Sequence, residues 1–261
     1  MKQRTLTGIV LALLSMVLLG CFHLPWIPQL TAILIGCGAV WEILGANGVP
    51  KKGAYVSGAF LAVILPLFPL TENKWWMLAM LLLAMGYFTY LMTRIGKNVP
   101  FWTPAAEIYL ALSLYRGLAS YGQIPNGAFW LCLTGLICAL TDIFAYLVGS
   151  RFGRHKLAPR VSPGKSIEGA LGGLSVTVVL ILLAFGRFFA NPGALMLYTV
   201  MISLLGQFGD LSMSAVKRVA GVKDFGKIFP GHGGILDRCD SLMYPLAFTW
   251  LLYCFRLWIF A

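Results

Sequence analysis

Nine stretches of about twenty apolar residues recur along this chain, each the length an α-helix needs to cross the hydrocarbon core of a bilayer. They fall near residues 6–23, 28–47, 54–70, 75–93, 103–120, 127–149, 170–190, 194–216 and 241–260. In lipid no water can bond a bare N–H or C=O, so each stretch must satisfy its backbone internally, as a helix. Composition agrees: 59% of the residues are hydrophobic and 11% are charged, where a soluble domain carries roughly 25% charged residues. The expected fold is therefore all-α, a polytopic integral membrane protein of about nine transmembrane helices. The fifth stretch is interrupted by Glu107 and by Tyr115–Arg116. The first lacks a small-residue cleavage site and further spans follow it at once, so it reads as a span and not as a signal peptide.

Nine spans put successive loops on alternate sides, and the basic residues then separate. Lys2, Arg4, Lys51, Lys52, Arg94 and Lys97 fall on one side, together with the five Lys and Arg of 150–169 and the five of 217–240. Only Lys74, Arg116, Arg187 and Arg256 fall on the other. Because basic loops stay in the cytosol, the expected N-terminus is cytosolic and the C-terminus outside. Eight spans would break the asymmetry. The net charge of +11 is thus read as topology and contact with anionic headgroups, not as a nucleic-acid surface. The six cysteines include no CxxC pair, so neither a disulfide framework nor a zinc site is expected. Trp75–Trp76 and Trp102 read as interfacial anchors.

The chain divides unevenly. Residues 1–125 hold only Glu42, Glu72 and Glu107 as acids, whereas 126–261 hold Asp142, Glu168, Asp210, Asp224, Asp237 and Asp240 and both long basic loops. The expected organisation is an N-terminal half, 1–125, that supports packing, and a C-terminal catalytic half, 126–261. An acid at membrane depth costs about 2.5–3.5 kcal/mol on insertion, so such residues are functional candidates.

Asp210 and Ser214 stand four apart on a helix and share a face, which Arg218 continues; Asp237 and Asp240 stand three apart on the next element. Converging carboxylates are hard oxygen ligands of the kind Mg²⁺ takes alongside phosphate. The alternative is an ion-pair cluster, Asp237 with Arg238 or Lys217 and Asp210 with Arg218. Between the two helices, Pro230–Gly231–His232–Gly233–Gly234 can turn backbone N–H groups toward an anion, flanked by Lys223, Lys227 and Arg238. His232 could bond a phosphate or cap the turn.

The second informative segment is 142–173. Asp142 lies inside an apolar run, and the loop after it carries Arg151, Arg154, His155, Lys156, Arg160 and Lys165. Such a loop suits a nucleoside triphosphate of about four negative charges, and equally suits topology alone. Residues 162–166 (SPGKS) are not a Walker A loop, because the GxxxxGK[ST] spacing is missing. Ser166 is placed to cap the next helix. Gly169, Gly172 and Gly173 suit close helix packing. Glu42 and Glu107 lie in spans, where they could line a polar cavity or pair with a neighbouring helix.

The run from Ser214 to Asp240 resembles the signature of the phosphatidate cytidylyltransferase (CDP-diglyceride synthase) family: S-A-V-K-R, then K-D-F-G, then P-G-H-G-G-I-L-D-R-C-D. The 142–173 segment is similar to the loop that precedes it in that family. Cys239 stands where an aliphatic residue is usual, Met213 where several relatives carry Glu, and Ser166 where Thr is commoner; none removes a residue that the chemistry needs. The resemblance implies condensation of CTP with phosphatidate to CDP-diacylglycerol and pyrophosphate, at a cytosol-facing site, in a homodimer. It implies Mg²⁺, with room for a second cation such as K⁺, held around Asp210, Ser214, Asp237 and Asp240. Lys217, Arg218, Lys223 and Asp224 match other signature positions, and Lys165, His232, Gly233, Gly234 and Arg238 are expected to meet substrate phosphates. Two alternatives stand beside it: a CTP-dependent cytidylyltransferase or kinase of another polar lipid, and a cation-coupled transporter. The transporter fits poorly with acids gathered in one half of the chain.

Overall fold

The computed structural model describes residues 20–21, 24, 26–48, 73–97, 103–226, 228–229 and 233–256. The expected span at 54–70, and all of 6–23 except Gly20 and Cys21, lie outside them. The other seven appear as helices: α1 Trp26–Ala46, α2 Lys74–Arg94, α3 Thr103–Ala119, α4 Gly127–Phe152, α5 Ile167–Phe185, α6 Pro192–Val219 and α7 Met243–Cys254. Five of these, α1, α2, α4, α5 with its 3-10 extension, and α6, are long and apolar enough to cross a membrane. The chain is a multi-pass, mostly helical membrane protein.

Local chemistry sets the ends. Asn191 accepts the N–H groups of Gly193 and Ala194, with Pro192 at the first helical position of α6. Asn73 accepts the Trp75 N–H ahead of α2, and Ser166 accepts the Gly169 N–H ahead of α5, as its position led one to expect. Two helices outrun their apolar stretches: α4 continues to Phe152 past Arg151, and α6 to Val219 past Lys217 and Arg218. Leu82, Leu83, Leu171, Leu183 and Leu204 point outward, the surface a bilayer solvates and water does not.

The described parts of the two basic loops carry short regular elements. The first holds a two-stranded antiparallel hairpin, β1 Lys156–Ala158 and β2 Ser162–Ser166, with Lys156 opposite Ser166 and Ala158 opposite Ser162. The second returns through a single helical turn, Leu236–Cys239, and a 3-10 turn, Asp240–Leu242, into α7.

Helix α6 is the axis of the bundle, packed by α2, α4, α5, α7 and the 240–242 turn. Lipid offers helices little reason to associate, so packing and polar bonds must do it. Tyr198 of α6 bonds Thr134 of α4 at 2.7 Å and Thr249 of α7 at 2.9 Å through its hydroxyl. Thr141 of α4 donates to Ser203 of α6 at 3.0 Å. The most extensive pair is α4 with α5, and glycines set its closeness. A Cβ at Gly169 would stand 2.6 Å from the Ala145 carbonyl oxygen, and one at Gly173 the same distance from that of Thr141. Substituting Gly173→Val should separate α4 from α5 at a cost of about 1–3 kcal/mol. A lowered melting temperature in detergent, with Gly135→Ala as an unhindered control, checks this.

Candidate active site

A cavity of about 550 Å³ opens at one end of the bundle. Helix α4 gives it Asp142, Tyr146 and Ser150; β2 gives Ser162, Gly164, Lys165 and Ser166; α6 gives Gln207 and Asp210; the returning turn gives Asp237 and Asp240. Lys165 reaches across from the hairpin to ion-pair with Asp210, and Ser214 donates to the other Asp210 oxygen at 3.3 Å. On this wall the acids outnumber the basic groups. Burial first, and then the charge of Asp210, push the Asp240 carboxyl above its ordinary range, while Lys217 opposes them.

Asp237 organises the glycine loop. Lys217 donates to its Oδ1 at 2.8 Å, and the N–H groups of Phe225 and Gly234 donate to its Oδ2 at 3.0 and 2.9 Å. Burial raises this carboxyl, but Lys217 and the two N–H groups outweigh burial and hold it below the usual aspartate value. Lys217 also lies 5.4 Å from the centre of the Phe225 ring. Gly233 has φ +85° and approaches the same carboxylate: a Cβ there would meet Oδ2 at 2.7 Å, so the position demands glycine on both counts. Gly209, beside Asp210, lets α6 touch the returning turn, since a Cβ would stand 2.5 Å from the Asp240 carbonyl oxygen.

The candidates named from sequence separate into groups. Lys165, Asp210, Asp237 and Asp240 line the cavity. Ser214, Lys217 and Gly234 stand directly behind them, bonded to Asp210 or Asp237. Arg218 does not continue the Asp210 face into the cavity: its Nε donates to the Val161 carbonyl at 3.3 Å and its Nη1 to that of Val222 at 3.0 Å, tying the hairpin to α6. Lys223, Asp224 and Arg238 are exposed and are not on the cavity wall. His232 lies outside the described residues. Asp237 pairs with Lys217, and Asp210 pairs with Lys165 rather than with Arg218.

Tyr146, Gln207, Ser150 and Ser162 line the cavity with no role assigned from sequence, and Asp142, a candidate only as an acid inside an apolar run, joins them. Their signal was present. Ser203, Gln207, Asp210, Ser214 and Lys217 recur at steps of four and three, a polar stripe along an apolar helix. Glu42, for which sequence leaves a cavity wall or a helix partner open, is not on the cavity wall: it accepts the Ile235 and Leu236 N–H groups at 2.8 and 2.9 Å.

The donors suit a hydrated divalent cation. Among the described residues no three His, Cys, Asp or Glu close on one point tightly enough to cage an ion. Asp142, Asp210, Asp237 and Asp240 are instead spread around a space wide enough for phosphates. Mg²⁺ binds in that manner, through one or two carboxylates, retained waters and substrate phosphate oxygens.

Fold and cavity together define a membrane-embedded protein equipped for phosphate chemistry at the end of a helix bundle. The chain belongs to the cytidylyltransferase family, whose model matches residues 2–255. Among similar proteins are the phosphatidate cytidylyltransferases of Staphylococcus haemolyticus (strain JCSC1435), 38% identical over 257 residues, and Staphylococcus epidermidis (strain ATCC 35984), 37% identical over 253. That of Staphylococcus aureus (strain COL) is 38% identical over 257 residues. Each alignment covers 94% of this chain and 96% of the relative.

The Lys217 and Asp237 side chains are only 10% and 5% exposed. Lys217→Met leaves a buried carboxylate unpaired and should cost about 3–5 kcal/mol; the double variant Lys217→Met, Asp237→Asn should recover much of it. Chemical denaturation of the three proteins checks the order. A depressed carboxyl stabilises the fold above its unfolded value and loses that contribution as pH falls through the folded one. The melting-temperature gap between wild type and Asp237→Asn should therefore narrow from about pH 7 to about pH 3.

Proposed function

We propose that this chain condenses CTP with phosphatidate to give CDP-diacylglycerol and pyrophosphate. One observation carries the reading: acids from α4, α6 and the returning turn face Lys165 across a single cavity at the end of an apolar bundle. A lipid headgroup and a nucleotide triphosphate can meet there. Family membership and relatives that bear the name phosphatidate cytidylyltransferase support it.

A phosphate oxygen of phosphatidate attacks the α-phosphorus of CTP, and the bond to the leaving pyrophosphate breaks. A phosphate monoester is already ionised near pH 7, so no strong protein base is required. Lys165 and Lys217 are the cations nearest the reacting phosphates. Lys165 exchanges its Asp210 partner for a phosphate oxygen, and Ser214 keeps Asp210 oriented. Asp210, Asp237 and Asp240 would hold Mg²⁺, together with a second cation such as K⁺, and Asp142 adds negative charge across the cavity. The chemistry such a cation would supply is neutralisation of charge on the transferring phosphoryl group. Arg218 and the exposed Lys223, Asp224 and Arg238 shape the surrounding loops, with His232 on the glycine segment. Tyr146 is 74% exposed and joins Ile143 and Leu147 on the outward face of α4, so phosphatidate enters sideways from the leaflet along that helix.

The topology belongs to the same reading: nine spans, N-terminus cytosolic, C-terminus outside, an inner-membrane enzyme with its site on the cytosolic side, working as a homodimer. Residues 126–261 form the catalytic half and 1–125 support it. Both basic loops border the cavity, and basic loops stay in the cytosol.

The purified protein in mixed micelles should release pyrophosphate from CTP only when phosphatidate and Mg²⁺ are both present. Release with a different lipid acceptor alone would replace the substrate assignment. Asp240→Asn should lower kcat by at least about 100-fold, beyond the 10–100-fold typical of a group that only supports a ligand. Activity near wild type in that variant would remove Asp240 from the cation site.

A further inference from the structure

Glu42 sits on α1, in the other half of the chain from the cavity, and is 3% exposed. A buried carboxylate is costly unless hydrogen bonds match it, and an aliphatic side chain would serve packing alone better. Its two oxygens are matched separately, Oε1 by the Ile235 N–H at 2.8 Å and Oε2 by the Leu236 N–H at 2.9 Å. These N–H groups open the turn that carries Asp237 and Asp240.

The surroundings are fitted to this contact from three directions. One helical turn before Glu42, Gly38 makes room for the Ile235 side chain, where a Cβ would stand 2.5 Å from Cδ1. At Gly226 a Cβ would stand 2.6 Å from the Glu42 Oε1, and at Gly234 it would overlap the carboxylate. The glycine loop therefore closes directly onto Glu42 with its bare backbone. The same loop donates the Phe225 and Gly234 N–H groups to Asp237.

We infer that Glu42 is a positioning residue for the transfer reaction: by gripping two successive N–H groups just ahead of Asp237, it fixes the turn that presents Asp237 and Asp240 to the cavity. This rests on the cytidylyltransferase reading, but its physical core, the grip on the turn, can be measured without turnover. Charge alone does not suffice. Glu42→Asp draws the carboxylate back by one methylene, out of reach of both donors. Glu42→Gln keeps the shape but turns an NH₂ group toward one of them, setting donor against donor.

The test compares wild type, Glu42→Gln and Gly226→Ala in detergent, by hydrogen exchange and by steady-state kinetics. Gly226→Ala pushes the carboxylate away while leaving its charge intact, so it carries the test if Glu42→Gln fails to fold. Both variants should speed amide exchange in the 233–242 segment by about tenfold or more, with exchange in α4 and α5 unchanged. Both should lower kcat by about 10–100-fold, the range for a residue that supports a ligand, and leave KM for phosphatidate within about twofold. Unchanged exchange at 233–242 would show that Glu42 does not hold the turn. Faster local exchange with unchanged kcat would show that holding it does not matter. Faster exchange throughout the chain would make Glu42 a general stability residue; each of these three results overturns the inference. A wild-type protein that does not turn over CTP would instead sink the proposed activity, while the exchange comparison would still decide the grip.

Discussion

Lys217 and Asp237 meet at 2.8 Å where water barely reaches, their side chains 10% and 5% exposed. The pair joins the end of α6 to the loop that returns toward α7. Desolvating two charges is repaid only when geometry is good and the remaining valences are filled. Both conditions hold: the Phe225 ring lies beside the ammonium, and backbone N–H groups fill the second carboxylate oxygen. With Asp237 fixed, the glycine loop has an anchor, and Asp240 follows three residues on. Without it, a segment rich in glycine would have little to define its path.

Around that pair, α6 plays two roles at once. Its apolar sides are buried against four neighbouring helices, and its one polar stripe runs from the Thr141–Ser203 contact within the bundle to Asp210 and Lys217 at its end. Polar side chains that cement helices in lipid and polar side chains that face substrate are thus members of one series. The difference between them is depth: deeper in, the partners are threonines and serines on adjacent helices, and at the cavity they are ions.

Much of this was legible in the sequence. Six of the expected spans coincide with helices to within a few residues, because twenty apolar residues in a row leave the backbone few alternatives, and the span at 241–260 is helical over Met243–Cys254, with 257–260 outside the described residues. Ser166 as a cap and the 169–173 glycines as a packing surface were equally readable, since each depends on local geometry. Helical spacing also put Asp210 beside Ser214. What spacing does not encode is which distant segment arrives opposite. Lys165 reached Asp210 through a hairpin that no alternation of hydrophobicity announced. Arg218 shared a nominal face with Asp210 yet turned to backbone carbonyls of Val161 and Val222. Glu42 met its partners across some 190 positions of chain, a separation over which periodicity carries no information.

The contact at Gly209 has a consequence of a mechanical kind. There α6 and the returning turn touch main chain to main chain, with the Asp240 carbonyl where a side chain would otherwise be. The interval between Asp210 and Asp240 is accordingly set by two stiff backbones and not by flexible side chains or by the surrounding lipid. A bilayer changes thickness and lateral pressure with temperature and composition, and spanning helices tilt to follow it. The backbone stop at Gly209 is buried inside the bundle, away from the lipid-facing surfaces on which that tilting acts.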